Sequence, residues 1–223
     1  MKPKRNIREL IQDKRIWSEP LSAGDEGLGF PGWHSRGYLP HFDAPGTRQM
    51  VTYRLSDSMP ESRRHEWEEF LALEDERERR IKIEAYLDLG YGECHLRRPE
   101  IAGLVQENLL HFDGARYRVL AWAIMPNHVH ALVETLITPM AEILHGWKSY
   151  TSKAANRLLG REGEFWQTES FDRFIRDEEH FGKAVRYIEN NPVKAGLVKS
   201  AAEWAFGSAQ WRRDRGAGGA AAS

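Results

Sequence analysis

The stretch Val119–Glu134 constrains the fold most, because two apolar runs there enclose a turn and two histidines one residue apart. The runs Val119–Ile124 and His128–Val133 have the composition of buried strands, and the Met-Pro-Asn between them has turn chemistry. Side chains of a strand alternate between its two faces, so His128 and His130 leave the same face. The sequence therefore predicts a β-hairpin whose second strand presents two imidazoles together.

Paired imidazoles on one strand face permit two interpretations. Neutral histidines can converge on a single divalent cation, or they can complete a sheet face near its rim. A structural zinc site needs more ligands than two histidines, and Cys94 is the single cysteine of the chain. We expect Cys94 to be an inert thiol, so a metal would need a third ligand from elsewhere. The hairpin alone leaves both interpretations open.

The length and composition of the chain are typical of a globular protein. Its 223 residues suit one ordinary domain or one domain with extensions. Hydrophobic residues make up 41%, and no apolar run reaches the length of a membrane span. The basic N-terminus lacks the apolar core of a signal peptide, and one cysteine gives no disulfide framework. We therefore expect a cytoplasmic protein that has no membrane partner.

Charge is distributed unevenly. The net charge is −1, but Glu61–Gly90 holds ten acidic and six basic residues, which leaves the rest of the chain at +3. That excess permits a local basic groove without demonstrating one. The segment Met1–Arg15, which includes Lys4 and Arg5, could be a basic arm that reaches phosphates or a solvated tail.

Periodicity and cap residues predict the remaining elements. In chain order, we predict a loop over Ser22–Gly37, a strand at Met50–Leu55, a long solvated helix within Glu61–Gly90, a helix from Pro99 to about His111, a helix from Met140 that ends at Gly160, a strand within Phe165–Arg176, and a helix capped by Asp177.

The helix after Asp177 carries two candidate site residues. Tyr187 and Asn191 are four residues apart and fall on one flank of its apolar stripe, so they are neighbours on the helix surface. Pro192 follows at once and should end or bend the helix. Tyr187 could equally pack at the edge of the core with its hydroxyl in water. The stripe consists of Phe181, Ala184, Val185 and Ile188.

These residues suggest a reaction if the helix packs over the histidine strand. A divalent cation held by His128, His130 and Asn191 would polarise a phosphodiester oxygen, and Tyr187 would attack the phosphorus as the nucleophile. The product would be a phosphotyrosine, which stores the energy of the broken bond. An enzyme of this kind can both cut and rejoin its substrate.

Several motifs carry a resemblance to a known family. They are Met125–His130, Phe165-Trp166-Gln167, Phe171-Asp172-Arg173, Ile175-Arg176-Asp177 and Tyr187–Gly196. On these motifs, the chain resembles REP-associated tyrosine transposases, which are single-tyrosine nucleases with a His-hydrophobic-His motif. The similarity covers roughly Tyr38–Trp211, preceded by a basic arm and loop over residues 1–37 and followed by a tail over 212–223. Within it, Glu61–Gly90 looks like a helical acidic insertion.

The resemblance implies an α+β fold in which helices pack on a ferredoxin-like antiparallel sheet of the HUH-endonuclease type. It implies that His128 and His130 are metal ligands on a central strand, that Asn191 is the third ligand, and that Tyr187 is the nucleophile. The implied ion is Mg²⁺, with Mn²⁺ as a substitute. The implied partner is single-stranded or hairpin DNA, which is cut near repetitive extragenic palindromes to leave a 5′-phosphotyrosine.

Partners and alternatives follow from the same resemblance. The protein would act as a monomer or homodimer, and DNA phosphates would contact a set of basic side chains. Two alternatives stay open, namely a domesticated DNA-binding regulator of the same fold that no longer transposes, and a metal hydrolase in which water is the nucleophile. The expected phosphate contacts are Arg173, Arg176, Lys148, Lys153, Lys4 and Arg5.

Overall fold

The computed structural model describes residues 21–35, 40–73 and 75–219. The basic arm with Lys4 and Arg5 lies outside these residues. No helix in the described ranges is both long and apolar enough to cross a membrane. In chain order, the elements are α1 (Ala23–Gly27), β1 (Gly32–Ser35), β2 (Pro40–Asp43), β3 (Arg48–Arg54), α2 (Arg64–Ala72), α3 (Glu76–Asp88), α4 (Pro99–Leu110), β4 (Tyr117–Ile124), β5 (His128–Thr135), α5 (Met140–Leu159), β6 (Phe171–Phe174), α6 (Glu178–Lys194) and α7 (Ser208–Gly219).

The central sheet has four strands in the order β4-β5-β3-β6, and every neighbouring pair is antiparallel. Strands β1 and β2 form a separate two-stranded ribbon. Along the chain, the sheet and its helices read β3-α4-β4-β5-α5-β6. This is a split βαβ arrangement with the strand order of a ferredoxin-like fold. The α+β fold predicted from the sequence is confirmed, and the strand that carries the histidines is central.

Each face of the sheet is covered by helices. On one face, the alternating residues of β3 and β5 that include Val51, Val129 and Ala131 pack against α4 and α5, where Val105 and Trp147 are buried. On the other face, residues such as Leu132 pack against α6. This alternation follows from the two-residue period of a strand. It sends the histidines of β5 towards α6.

Local signals explain where the helices begin and end. Pro99 occupies the first turn of α4, where its missing N–H costs nothing. Gly160 ends α5 with φ 62°, a left-handed conformation that glycine adopts without strain. Asp177 caps α6, because its side chain accepts the N–H of His180 at 2.7 Å. All three boundaries were predicted from the sequence and are confirmed.

Pro192 was predicted to end or bend α6, and the first of these two outcomes is wrong. The helix does not end at Pro192 but continues to Lys194. Proline removes one intrahelical donor, yet the N–H of Ala195 reaches the carbonyl of Asn191 at 2.9 Å and that of Leu197 reaches Pro192 at 2.9 Å. The last turn is therefore closed by residues that follow the proline.

Three other predictions were incomplete. Glu61–Gly90 is not one long solvated helix but a short 3₁₀ turn followed by α2 and α3. Its apolar residues are not all solvated, because Trp67 and Leu87 are buried in a cluster of their own that contacts Phe171. The predicted loop Ser22–Gly37 contains α1 and β1, and the strand predicted within Phe165–Arg176 is limited to the four residues of β6.

Candidate active site

His128 and His130 lie side by side on β5, on the face that α6 covers. Each side chain is 1% exposed, and their Nε2 atoms are 3.1 Å apart. The two rings are nearly perpendicular, with centroids 4.7 Å apart. The two nitrogens therefore converge on one buried point, as the spacing of the motif predicted.

The proton position on His128 can be inferred from its neighbours. Its Nδ1 lies 2.8 Å from Oδ1 of Asn127, and Nδ2 of Asn127 donates to the carbonyl of Tyr91 at 3.1 Å. The second bond fixes the amide orientation, so an oxygen faces the imidazole. Because that oxygen only accepts, Nδ1 of His128 carries the proton. Its Nε2 then presents a lone pair to the shared point.

His130 is oriented by the neighbouring strand. Thr52 is its direct partner in the β3–β5 pairing, and the Thr52 hydroxyl lies 2.7 Å from Nδ1 of His130. On the other side of the ring, Nδ2 of Asn191 lies 3.2 Å from Nε2. If Asn191 donates there, Nε2 of His130 accepts and its Nδ1–H donates to Thr52. Both Nε2 atoms then carry lone pairs that face each other.

Burial keeps both imidazoles neutral at pH 7. Desolvation lowers the pKa of His128 well below its usual value, with smaller contributions from His130 and from the positive charge of Lys194. The pKa of His130 is lowered to about 3, first by burial and then by the positive charge of Lys194. Neutral imidazole is the form that binds a metal ion.

Tyr187 and Asn191 reach the same point from α6. Asn191 is 1% exposed, and its Nδ2 donates to the Tyr187 hydroxyl at 3.1 Å as well as facing His130. The rings of Tyr187 and His130 have centroids 5.6 Å apart. The structure therefore brings together all four residues that the sequence selected. It does so because Tyr187 and Asn191 occupy one face of the helix.

The donor set fits a divalent cation. Two nitrogens that each lie about 2.1 Å from one ion are about 3 Å apart when their bonds are at right angles, and the two Nε2 atoms are 3.1 Å apart. Oδ1 of Asn191 is buried without a hydrogen-bond partner among the described residues, and a half-turn of the amide presents that oxygen to the same point. Two facing lone pairs and an orphaned oxygen are groups that a cation would satisfy.

The described residues hold no cluster of three or more His, Cys, Asp or Glu side chains that could bind a metal. The candidate set is thus two imidazoles and one amide oxygen, without a carboxylate. Three protein ligands leave coordination positions for a substrate oxygen, as in catalytic sites.

Two supporting residues were missed by the sequence analysis. Thr52 lay within a predicted strand, but its partner could be known only from the pairing of β3 with β5. Asn127 was assigned to the turn alone, although a side-chain acceptor directly before His128 was a usable signal. Both residues orient an imidazole through Nδ1, which leaves each Nε2 directed at the metal point.

The predicted phosphate contacts are spread over the molecule. Arg173 pairs with Met50 on the edge of the sheet, so it lies on the face that carries the histidines, and it is exposed. Arg176 is exposed just before α6. Lys148 and Lys153 lie on α5, which covers the opposite face, and Nζ of Lys148 donates to the carbonyls of residues 167 and 168 at 3.1 and 3.0 Å. The structure therefore gives Lys148 a role in holding that loop.

Comparison with known proteins identifies the relatives of the chain. Residues 104–191 match the family model of IS200-like transposases, and this segment contains His128, His130, Tyr187 and Asn191. A REP-associated tyrosine transposase of Escherichia coli (strain K12) is 29% identical over 90 residues, which are 40% of this chain and 53% of that protein. Over this part of its length, the chain is similar to REP-associated tyrosine transposases. The resemblance inferred from the sequence is confirmed.

Two further proteins are similar to parts of the chain. A Haemophilus influenzae protein assigned provisionally to the same group is 28% identical over 105 residues, covering 41% of this chain and 58% of that protein. The chain spans about half the length of the curated relatives it matches. A solved REP-associated tyrosine transposase bound to a REP hairpin is 18% identical with a TM-score of 0.49, covering 82% of this chain and 86% of that chain.

Proposed function

We propose that this protein is a tyrosine transposase that cuts and rejoins single-stranded DNA at hairpin sequences through a 5′-phosphotyrosine intermediate. The observation that carries the proposal is the position of the Tyr187 hydroxyl. It is hydrogen-bonded to Asn191, whose amide also faces the paired imidazoles of β5. A phenol held beside a candidate metal point is the arrangement that covalent phosphoryl transfer requires.

Tyr187 would supply the nucleophilic oxygen. Its Oη would form a bond to the phosphorus of a DNA phosphodiester while the bond from phosphorus to the 3′-oxygen breaks. The phenolic proton leaves to solvent, and the departing 3′-oxygen takes up a proton to become a hydroxyl. One phosphate ester is exchanged for another, so the same 3′-hydroxyl or that of another strand can reverse the step. Because the number of phosphate ester bonds does not change, cutting and rejoining need no added energy source.

His128, His130 and Asn191 would hold Mg²⁺, or Mn²⁺ in its place. When bound, such an ion polarises a non-bridging phosphate oxygen and stabilises the charge that develops during attack. Neighbouring residues hold the ligand side chains in the orientation and protonation state that metal binding requires. Thr52 and Asn127 fix the imidazole orientations, and burial keeps both rings neutral.

DNA would approach the face of the sheet that α6 covers. Arg173 and Arg176 lie on this side and are proposed to contact phosphates, which position a strand without reading its sequence. The similarity to a REP-associated tyrosine transposase of Escherichia coli supports a REP-like hairpin as the substrate. We further propose that residues 61–90 are an insertion into a catalytic domain that spans about 38–211.

The test is formation of a covalent adduct. Protein and a hairpin-bearing single strand labelled on the 3′ side of the cut are incubated with Mg²⁺ and separated under denaturing conditions. Wild-type protein should give a DNA-linked band that Tyr187→Phe does not give. Cleavage without any adduct would identify water as the nucleophile. Binding without cleavage would indicate a DNA-binding regulator of the same fold.

A further inference from the structure

Lys194 extends the functional face of α6. It follows Tyr187 by seven residues and Asn191 by three, so at about 100° per residue it lies within roughly 60° of both on the helix surface. It is the last residue of the helix, and its side chain is 55% exposed. The same helix face thus presents a phenol, an amide and an ammonium group in succession.

The insertion anchors this lysine. Asp88, the last residue of α3, places Oδ2 3.5 Å from Nζ of Lys194, and its side chain is 14% exposed. The other carboxylate oxygen of Asp88 is buried without a hydrogen-bond partner among the described residues. Burial raises the pKa of Asp88 more than Lys194 lowers it. Asp88 therefore directs the ammonium group but leaves it accessible to a further anion.

Lys194 lies about one turn of α6 beyond the candidate metal point. It follows Asn191 by three residues, and Nδ2 of Asn191 is 3.2 Å from Nε2 of His130. The four residues at that point are two neutral imidazoles, a phenol and an amide, none of which carries a positive charge. Transfer of a phosphodiester to an oxygen concentrates negative charge on the phosphate oxygens. A lysine beside the site supplies a compensating charge that these residues lack.

We propose that Lys194 binds the phosphate that Tyr187 attacks, and that Asp88 of the insertion positions the Lys194 ammonium group. The inference rests on the proposed function, since it assigns two further residues to the same site. It also gives the acidic insertion a role in the reaction, because α3 supplies the carboxylate. Lys194 contacts the substrate in this account, whereas Asp88 acts through Lys194.

The experiment compares four variants with wild-type protein at saturating Mg²⁺. Lys194→Gln removes the charge, Lys194→Arg keeps it, and Asp88→Asn removes the anchor. Lys183→Gln is the matched control, because Lys183 lies on the same helix and pairs only with Glu179 at 2.9 Å in the described structure. Single-turnover adduct formation gives the rate, and the DNA dissociation constant is measured for each variant combined with Tyr187→Phe. Thermal unfolding reports whether each variant is folded.

We expect Lys194→Gln to slow adduct formation by about 10- to 100-fold, as when one charge-stabilising group is removed from an active site. DNA affinity should change by less than about threefold, since one surface cation contributes modestly to backbone attraction. Lys194→Arg should recover most of the rate, and Asp88→Asn should lose roughly 3- to 10-fold because the ammonium group is retained but less well placed. Lys183→Gln should match wild-type protein.

Several results would overturn the inference. These are a Lys194→Gln rate within twofold of wild type, an arginine variant no faster than the glutamine variant, or a loss of affinity as large as the loss of rate. If Lys194→Gln does not fold, the comparison of Lys194→Arg with Asp88→Asn decides, and an unchanged rate in Asp88→Asn refutes the positioning role. An absence of adduct in both wild-type protein and Lys183→Gln refutes the proposed function itself.

Discussion

Replacing Thr52 by valine should weaken metal binding without touching a metal ligand. The Thr52 hydroxyl is 2.7 Å from Nδ1 of His130, and the two side chains are only 8% and 1% exposed, so water cannot replace the lost partner. Without that acceptor, the His130 tautomer that carries its proton on Nε2 becomes more favourable. This tautomer offers no lone pair to a metal at the shared point.

The magnitude follows from burial and from the role of the hydroxyl. An unsatisfied buried imidazole N–H should cost about 1–3 kcal/mol of folding free energy. Loss of a residue that orients a ligand should reduce metal affinity by about 10- to 100-fold. Metal affinity is obtained from the Mg²⁺ and Mn²⁺ dependence of adduct formation and from the rise in melting temperature with added metal.

Thr151→Val provides the matched control. Thr151 is also buried, and its hydroxyl accepts the indole N–H of Trp166 at 2.8 Å, but it lies on α5 on the opposite face of the sheet. It should lose a similar amount of stability while keeping the wild-type metal dependence. Equal metal dependence in Thr52→Val and Thr151→Val would show that the hydrogen bond of Thr52 to His130 contributes to stability alone and not to metal binding.

Three further outcomes are expected. Tyr187→Phe should abolish the adduct and leave DNA affinity nearly unchanged. Tyr150→Phe should cut normally, because Tyr150 is exposed on α5. The reverse pattern in a denaturing gel would make Tyr150 the nucleophile. His128→Ala and His130→Ala should each lose metal-dependent cleavage. A wild-type cleavage rate at limiting Mg²⁺ in either variant would show that the two histidines have a structural role and do not bind the metal. The pKa of both histidines is lowered in the folded state. As the pH falls below about 6.5, the unfolded chain therefore binds protons at these histidines before the folded chain does. The free energy of unfolding should decrease from there by up to about 1.4 kcal/mol per pH unit per histidine. Melting temperatures between pH 7.5 and 4.5 check this, and a His130→Gln variant with an equally steep decline would contradict it.

The four central site residues could be predicted because the direction of each side chain follows from the repeat of its own strand or helix. The two-residue period of a strand places His128 beside His130, and the helical period places Tyr187 near Asn191. Their meeting required only that α6 pack on β5, which the apolar stripe of the helix favours. The ferredoxin-like order followed from the resemblance, and the observed strand pairing confirms it.

The supporting contacts could not be predicted, because they depend on register and on distant packing. Thr52 meets His130 only through the alignment of β3 with β5, and Asp88 meets Lys194 across 106 positions of the chain. The division between α2 and α3 had a usable local signal that was missed. Asp75 caps α3 by accepting the N–H of Glu78 at 2.7 Å, a common helix start.

Mapping the covalent link between protein and DNA identifies the nucleophile. Wild-type protein is trapped with Mg²⁺ and a hairpin-bearing strand, digested with nuclease and protease, and analysed by mass spectrometry. We expect a nucleotide attached through its 5′-phosphate to Tyr187, together with a free 3′-hydroxyl on the released strand. A nucleotide on another residue, or complete cleavage with an unmodified Tyr187 and a free 5′-phosphate, would show that Tyr187 is not the nucleophile.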